Sequence, residues 1–292
     1  MQIDVQIVNS LTDGDVGGNP AGVVIDADAL NLQQKLDVAR QVGLSETAFV
    51  SKSGVATVKL EFFTPTRQIA HCGHATIATF SLLRELGRVN VGELTKETIE
   101  GCRNVLVDYH SVLMEQRSPT YGPIASESDL AHRVAWSIGL RHADIYKTAN
   151  PTIVNTGNSF LMIALPDGRS VADVQPDHSM IEAISNELDL IGYYLFSTAT
   201  IIGGRHAGAR MFAPRFGIIE ESATGTAAGP LACFLHEHMH VEDREIVIEQ
   251  GRLMRAPSPS VIKVMLDIDD GGISRLMAGG GARVVRSMNL EV

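Results

Sequence analysis

The feature that most constrains this chain is an internal echo. In the first half, Phe63-Thr64-Pro65 precedes Cys72-Gly73-His74-Ala75 and then an apolar helix pattern. In the second half, Phe212-Ala213-Pro214 precedes Thr224-Gly225-Thr226-Ala227 and another apolar helix pattern. Each copy has an aromatic strand ending at proline, a loop, a glycine and a helix that starts with small residues. The shared order predicts two related halves, with a site between them that faces both helix N-termini.

Such helix starts have a definite chemical use. The first N–H groups of a helix lack internal partners and carry partial positive charge, so two of them turned to one cleft would cradle an anion. Gly73 and Gly225 let a carboxylate approach the backbone, and Ala75, Ala227 and Ala228 leave it room. Pro230 fits if the helix begins near Thr226, because first-turn N–H groups are unbonded in any case.

The remaining pattern is α+β. Strand candidates include 3–8, 21–25, 55–63, 104–115, 245–250, 261–267 and 283–290; helix candidates include 32–42, 74–87, 128–140 and 227–239. Asn31 is placed to cap the first helix, and Gly43 and Gly87 to end the first and second. The polar stretch "QRSPTYGPIASES" (116–128) is the best boundary, dividing the chain into 1–120 and 121–292, with the last strand free to return to the first half. Of 292 residues, 45% are hydrophobic, which predicts a packed core. No apolar run approaches the roughly 20 residues that span a bilayer. The N-terminus has no secretion pattern, and the three cysteines read as cytosolic thiols. A net charge of −10 without a basic cluster argues against nucleic acid, and no P-loop or dinucleotide fingerprint points to a nucleotide.

The segments "GGNPAGVV" (17–24), "GLSETAFV" (43–50), "FFTPTRQIAHCGHATIAT" (62–79), "RMFAPRFGIIEESATGTAAGPLACFL" (210–235) and "EQGRLMRAPS" (249–258) together resemble the PhzF-like proteins of phenazine biosynthesis, which share the diaminopimelate epimerase fold. The resemblance implies two similar domains, each a barrel-like, mainly antiparallel sheet around a central helix. It also implies a cytoplasmic homodimer and a cofactor-independent isomerase acting on a small carboxylate-bearing substrate, with no metal. The family's catalytic glutamate maps to Glu46 and its active-site histidine to His74. Asn19, Gly73, Glu221, Gly225 and Thr226 map to substrate-binding positions. The family's usual Glu-Asp-Pro-Ala-Thr-Gly reads here Glu220-Glu221-Ser222-Ala223-Thr224-Gly225, so the expected aspartate is one methylene longer and the proline is serine.

Other readings compete. Glu46 alone would pass for a solvated loop acid, and His74 for a packing residue at a helix start. Cys72 occupies one of two opposed cysteine positions used by amino-acid epimerases of the fold, but Thr224 stands at the other, so a buried thiol is preferred to a cysteine racemase. A non-catalytic carboxylate-binding protein is a further alternative. "HEHMH" (236–240) matches the zinc-peptidase pattern H-E-x-x-H formally, but no longer zinc motif follows it.

Overall fold

The computed structural model describes all 292 residues, Met1–Val292. The chain is α+β and divides into two compact units, Met1–Glu115 with Gly279–Val292, and Gln116–Ala278.

In the first unit, β1 (Gln2–Ser10) pairs antiparallel with β2 (Asn19–Val24) on one side and with the last strand, β18 (Ala282–Glu291), on the other. Alternate residues of β1, among them Ile3, Val5 and Ile7, point into the core. Helix α1 (Leu32–Val42) links β2 to its parallel neighbour β3 (Thr47–Ser51). Its capping box is complete: Gln34 N donates to Asn31 Oδ1 at 3.0 Å, and Asn31 N to Gln34 Oε1 at 3.1 Å. Gly43 ends it at φ 68°, in the left-handed region.

β4 (Val58–Phe63) pairs antiparallel with β3 and with the short β5 (Gln68–Ile69). Helix α2 (Gly73–Glu85) then leads to β6 (Gly92–Thr98), which lies parallel to β4. The stretch 104–115 resolves into an antiparallel pair, β7 (Gly101–Val107) and β8 (Val112–Gln116), closed by Asp108 N donating to Ser111 O at 2.8 Å. Every residue of α2 from Gly73 to Leu83 is buried, and the helix packs against β1, β2, β3, β7 and β18. A helix buried on all faces is the core of its unit. It ends two residues earlier than its sequence pattern predicts, with Gly87 at φ 67° and Arg88 N reaching back to Leu83 O.

The second unit repeats this plan. β9 (Thr120–Pro123), within the polar stretch 116–128, pairs with β10 (Thr152–Asn155). Helices α3 (Asp129–Ser137) and α4 (His142–Ile145) lie between them in sequence. β10 pairs with β11 (Ser159–Ala164). Helices α5 (Gly168–Ala172) and α6 (His178–Glu187) link β11 to its parallel neighbour β12 (Gly192–Ser197). β13 (Ala207–Ala213) is antiparallel to β12 and to the short β14 (Ile218–Glu221). Helix α7 (Gly225–Met239) leads to β15 (Glu245–Gln250), parallel to β13 and antiparallel to β16 (Ser260–Asp269). β17 (Gly272–Gly280) follows. The series β4, β5, α2, β6 thus has the same connections and strand directions as β13, β14, α7, β15. The sequence echo marks a topological repeat.

One detail departs from the sequence reading. α7 begins at Gly225, so Pro230 lies past its first turn, and position 230 supplies no N–H to the Thr226 carbonyl.

Candidate active site

In the first unit, parallel pairing of β2 with β3 places Glu46 one residue before β3, where Gly22 N donates to the Glu46 carbonyl at 3.1 Å. His74 is the second residue of α2, and α2 packs on both strands. The two side chains therefore meet: His74 Nε2 lies 3.3 Å from Glu46 Oε2. Their residues are only 8% and 9% exposed. The contact is close but misaligned, and neither atom has a hydrogen-bond partner. His74 Nδ1 lies 3.5 Å from Cys72 Sγ. Thiol, imidazole and carboxylate form one cluster, with a donor atom from each within 4.8 Å of the other two.

Burial pushes His74 below its ordinary pKa, while the Glu46 carboxylate and the Pro20 backbone act in the opposite direction. The imidazole is neutral at neutral pH, so the contact is not a formed ion pair. A buried polar atom without a partner costs about 1–3 kcal/mol, and here two such atoms face each other. The arrangement can accept a proton at one group and relay it at the other.

Of the other residues singled out from the sequence, Asn19 and Gly73 belong to the same unit. Asn19 opens β2, one residue before Pro20; it is 3% exposed, and its carbonyl accepts from Ser10 Oγ at 3.2 Å. Gly73 is the first residue of α2, behind Cys72, whose side chain does not cap the helix. Sequence reasoning misses Lys96, and weighs His71 only as part of a disfavoured His71-Cys72-x-His74 metal cluster; both sit beneath this helix start. Lys96 belongs to "GELTKET", a segment in which four of seven residues are charged or hydroxylated beside it, yet Lys96 is fully buried.

In the second unit, Gly225 and Thr226 open α7 behind Thr224. Glu221 ends β14, and its Oε1 accepts from Ser222 N at 3.3 Å. Gln250, also missed, organises this turn. Its Nε2 donates to Glu221 O at 2.6 Å and to Thr224 Oγ1 at 3.2 Å. Its Oε1 accepts from Thr224 N at 3.1 Å and from Tyr194 OH at 2.8 Å. The neighbouring Glu220 holds Arg210 in a two-bonded pair at 2.7 and 2.9 Å, while Arg210 also donates to the Ala172 carbonyl.

The formal zinc pattern fails on geometry. α7 stops at Met239, and His240 is its left-handed cap at φ 58°, so His236 and His240 do not share a helix face. His236 Nδ1 lies 2.8 Å from the Val241 carbonyl, and His238 packs on Phe234 and Tyr121. Glu46, Cys72 and His74 also offer donor atoms within 4.8 Å of one another. One imidazole gives one nitrogen to one ion, and here Nδ1 lies toward the thiol while Nε2 lies toward Glu46 Oε2.

A family model described as "Phenazine biosynthesis-like protein" (PhzC-PhzF) matches residues 8–287. The chain is 28% identical to "Uncharacterized isomerase YddE" of Escherichia coli (strain K12), over 98% of this chain and 97% of that protein. It is 29% identical to the trans-2,3-dihydro-3-hydroxyanthranilate isomerase of Pseudomonas chlororaphis, over 86% of this chain and 87% of that one. The crystal structure of the Bacillus anthracis phenazine biosynthesis protein of the PhzF family superposes over 100% of both chains, with a TM-score of 0.89 at 26% identity. No helix of the chain is long and apolar enough to cross a membrane. The chain is an enzyme of the isomerase class, and it belongs to the phenazine biosynthesis-like PhzC-PhzF family.

Proposed function

We propose that this isomerase moves a proton between two positions of a small carboxylate-bearing molecule, with Glu46 as the base and His74 as its partner. One observation carries the reading: Glu46 Oε2 and His74 Nε2 are both buried, both lack a hydrogen-bond partner and lie 3.3 Å apart. A carboxylate fixed in that state has a free lone pair for a substrate proton, and the neutral imidazole supplies or receives one at a second atom. In this reading Asn19 and the N–H groups near Gly73 bind the substrate's polar groups. Glu221, Gly225 and Thr226 are the binding residues of the second unit. The Pseudomonas chlororaphis relative, named for a hydroxyanthranilate derivative, supports a carboxylate-bearing substrate. Proton transfer by side chains requires no cofactor. Three free cysteines support a cytoplasmic setting, and the family resemblance supports a homodimer.

The test is Glu46→Gln, which keeps the size of the side chain and cannot accept the proton. Turnover should fall at least about a hundredfold with substrate affinity little changed. Wild-type turnover in this variant would remove Glu46 from the role.

The proximity of Cys72 Sγ to His74 Nδ1, at 3.5 Å, favours a second reading in which the thiol is an acid–base group. Cys72→Ala separates the two: turnover close to wild type eliminates the thiol mechanism.

A further inference from the structure

Beneath the start of α2 lies a lysine with no exposed surface and no carboxylate in ion-pair contact. Lys96 Nζ donates to Thr76 Oγ1 at 2.7 Å and lies 3.3 Å from His71 Nδ1. The Phe62 ring covers it, with its centroid 5.4 Å away. Thr76 Oγ1 in turn donates to the Cys72 carbonyl at 2.6 Å. One hydroxyl thus separates the lysine from the residue that opens the helix.

The donors and acceptors fit an ammonium. His71 is held well below its usual pKa, by burial first and then by Lys96 and Arg103, so its ring is neutral and has a lone pair to offer. The charged groups around Lys96 are few: Cys72 before α2, Arg103 on β7, and Glu100 in the turn between β6 and β7. Arg103 and Glu100 pair with each other at 3.4 Å.

We propose that Lys96 is a buried positioning cation for this helix start: its ammonium adds to the partial positive charge of the first N–H groups and stabilises negative charge at Cys72 and at any anion seated against Gly73. Both sources of potential have the same sign, and in a buried setting solvent screens neither well. Burial lowers the Lys96 pKa to about 7, the thiolate form of Cys72 and Glu100 raise it, and Arg103 lowers it. The support is therefore complete below that value and fades as pH rises through it. Lys96 touches no reacting atom in this account; it acts through the field at Cys72–His74. The inference stands apart from the identity of the substrate, because the thiol itself reports it.

The test is the pH dependence of Cys72 alkylation by iodoacetamide in the full chain, read residue by residue by mass spectrometry. The exposed Cys102 serves as the internal standard. Lys96→Met removes the charge, and Lys96→Gln removes the charge while keeping a donor for Thr76. Near pH 6, Cys72 should react about tenfold more slowly in both variants than in the wild type. The ratio should close towards unity above about pH 8, where the wild-type lysine is itself neutral. A purely structural role would give a ratio that does not change with pH, and that result, or a ratio of one at pH 6, overturns the proposal. The wild type provides a second reading should either variant fail to fold. The chain has six lysines, so labelling with carbon-13 at Cε gives six resonances. One should titrate near pH 7; if all six titrate near the ordinary lysine value of about 10.4, the proposal is wrong.

Discussion

The two helix starts share a backbone plan and differ in chemistry. At α2, the turn Cys72-Gly73-His74 is surrounded by groups that ionise, and two of them, Glu46 Oε2 and His74 Nε2, have no hydrogen-bond partner. At α7, the turn Thr224-Gly225-Thr226 is laced by neutral hydrogen bonds that converge on Gln250. The repeat thus supplies the same helix N-terminus twice, and side chains outside the repeated motif decide what each does. The first start gathers groups that can gain or lose a proton, and the second gathers neutral hydrogen bonds.

The largest effect expected from this contrast is in stability against pH. The folded-state pKa of Lys96, about 7, lies below the usual lysine value, so between the two the unfolded chain binds more protons. Stability contributed by this group rises with pH across that window and is lost as pH falls through about 7. Relative to Lys96→Met, the wild type should gain roughly 4 kcal/mol between about pH 7 and pH 10, measured by urea unfolding at each pH. A pH-independent difference between the two proteins would place the first helix start in the same neutral class as the second.

An intermediate effect tests the second start. Gln250→Leu keeps the bulk and removes both functional groups, leaving Tyr194 OH, Thr224 N and the Glu221 carbonyl without this partner. The expected loss is about 3 kcal/mol, unchanged between about pH 6 and pH 9, because no ionisation is involved. A strong pH dependence would show that this turn also carries a titrating group. The smallest effect belongs to Glu221→Asp, which restores the length of the family's usual residue. Stability should change by less than about 0.5 kcal/mol, while KM for a given substrate shifts several-fold. Unchanged KM across substrates would remove Glu221 from binding.

Much of the fold was legible because its strongest signals are local. Glycines and small residues at 73–75 and 225–228 mark helices whose starts are buried, and the flanking Phe-x-Pro strands give the connections. Asn31 and Gly43 bound α1 through local hydrogen bonds and backbone geometry. Strand β6 and helix α6 were not legible. "GELTKET" has a single large apolar residue, Leu94, and only the packing of its unit encloses Lys96. Gln250 was obscured for the same reason, since its partners come from two other places in the chain, Tyr194 and the turn Glu221–Thr224. The meeting of Glu46 with His74 cannot be read from spacing, because it depends on the parallel pairing of β2 with β3 and on α2 crossing both. "HEHMH" shows the reverse error: a spacing that suits a helix, in a segment where the helix has already ended.

The central claim is that Glu46 takes a proton from a substrate carbon. The most direct measurement is solvent deuterium incorporation during turnover in deuterated water, compared between the wild type and Glu46→Gln. The wild type should place deuterium on a substrate carbon, and the variant should incorporate at least about a hundredfold less in the same time. Equal incorporation by the two proteins would contradict the claim and assign the base to another residue.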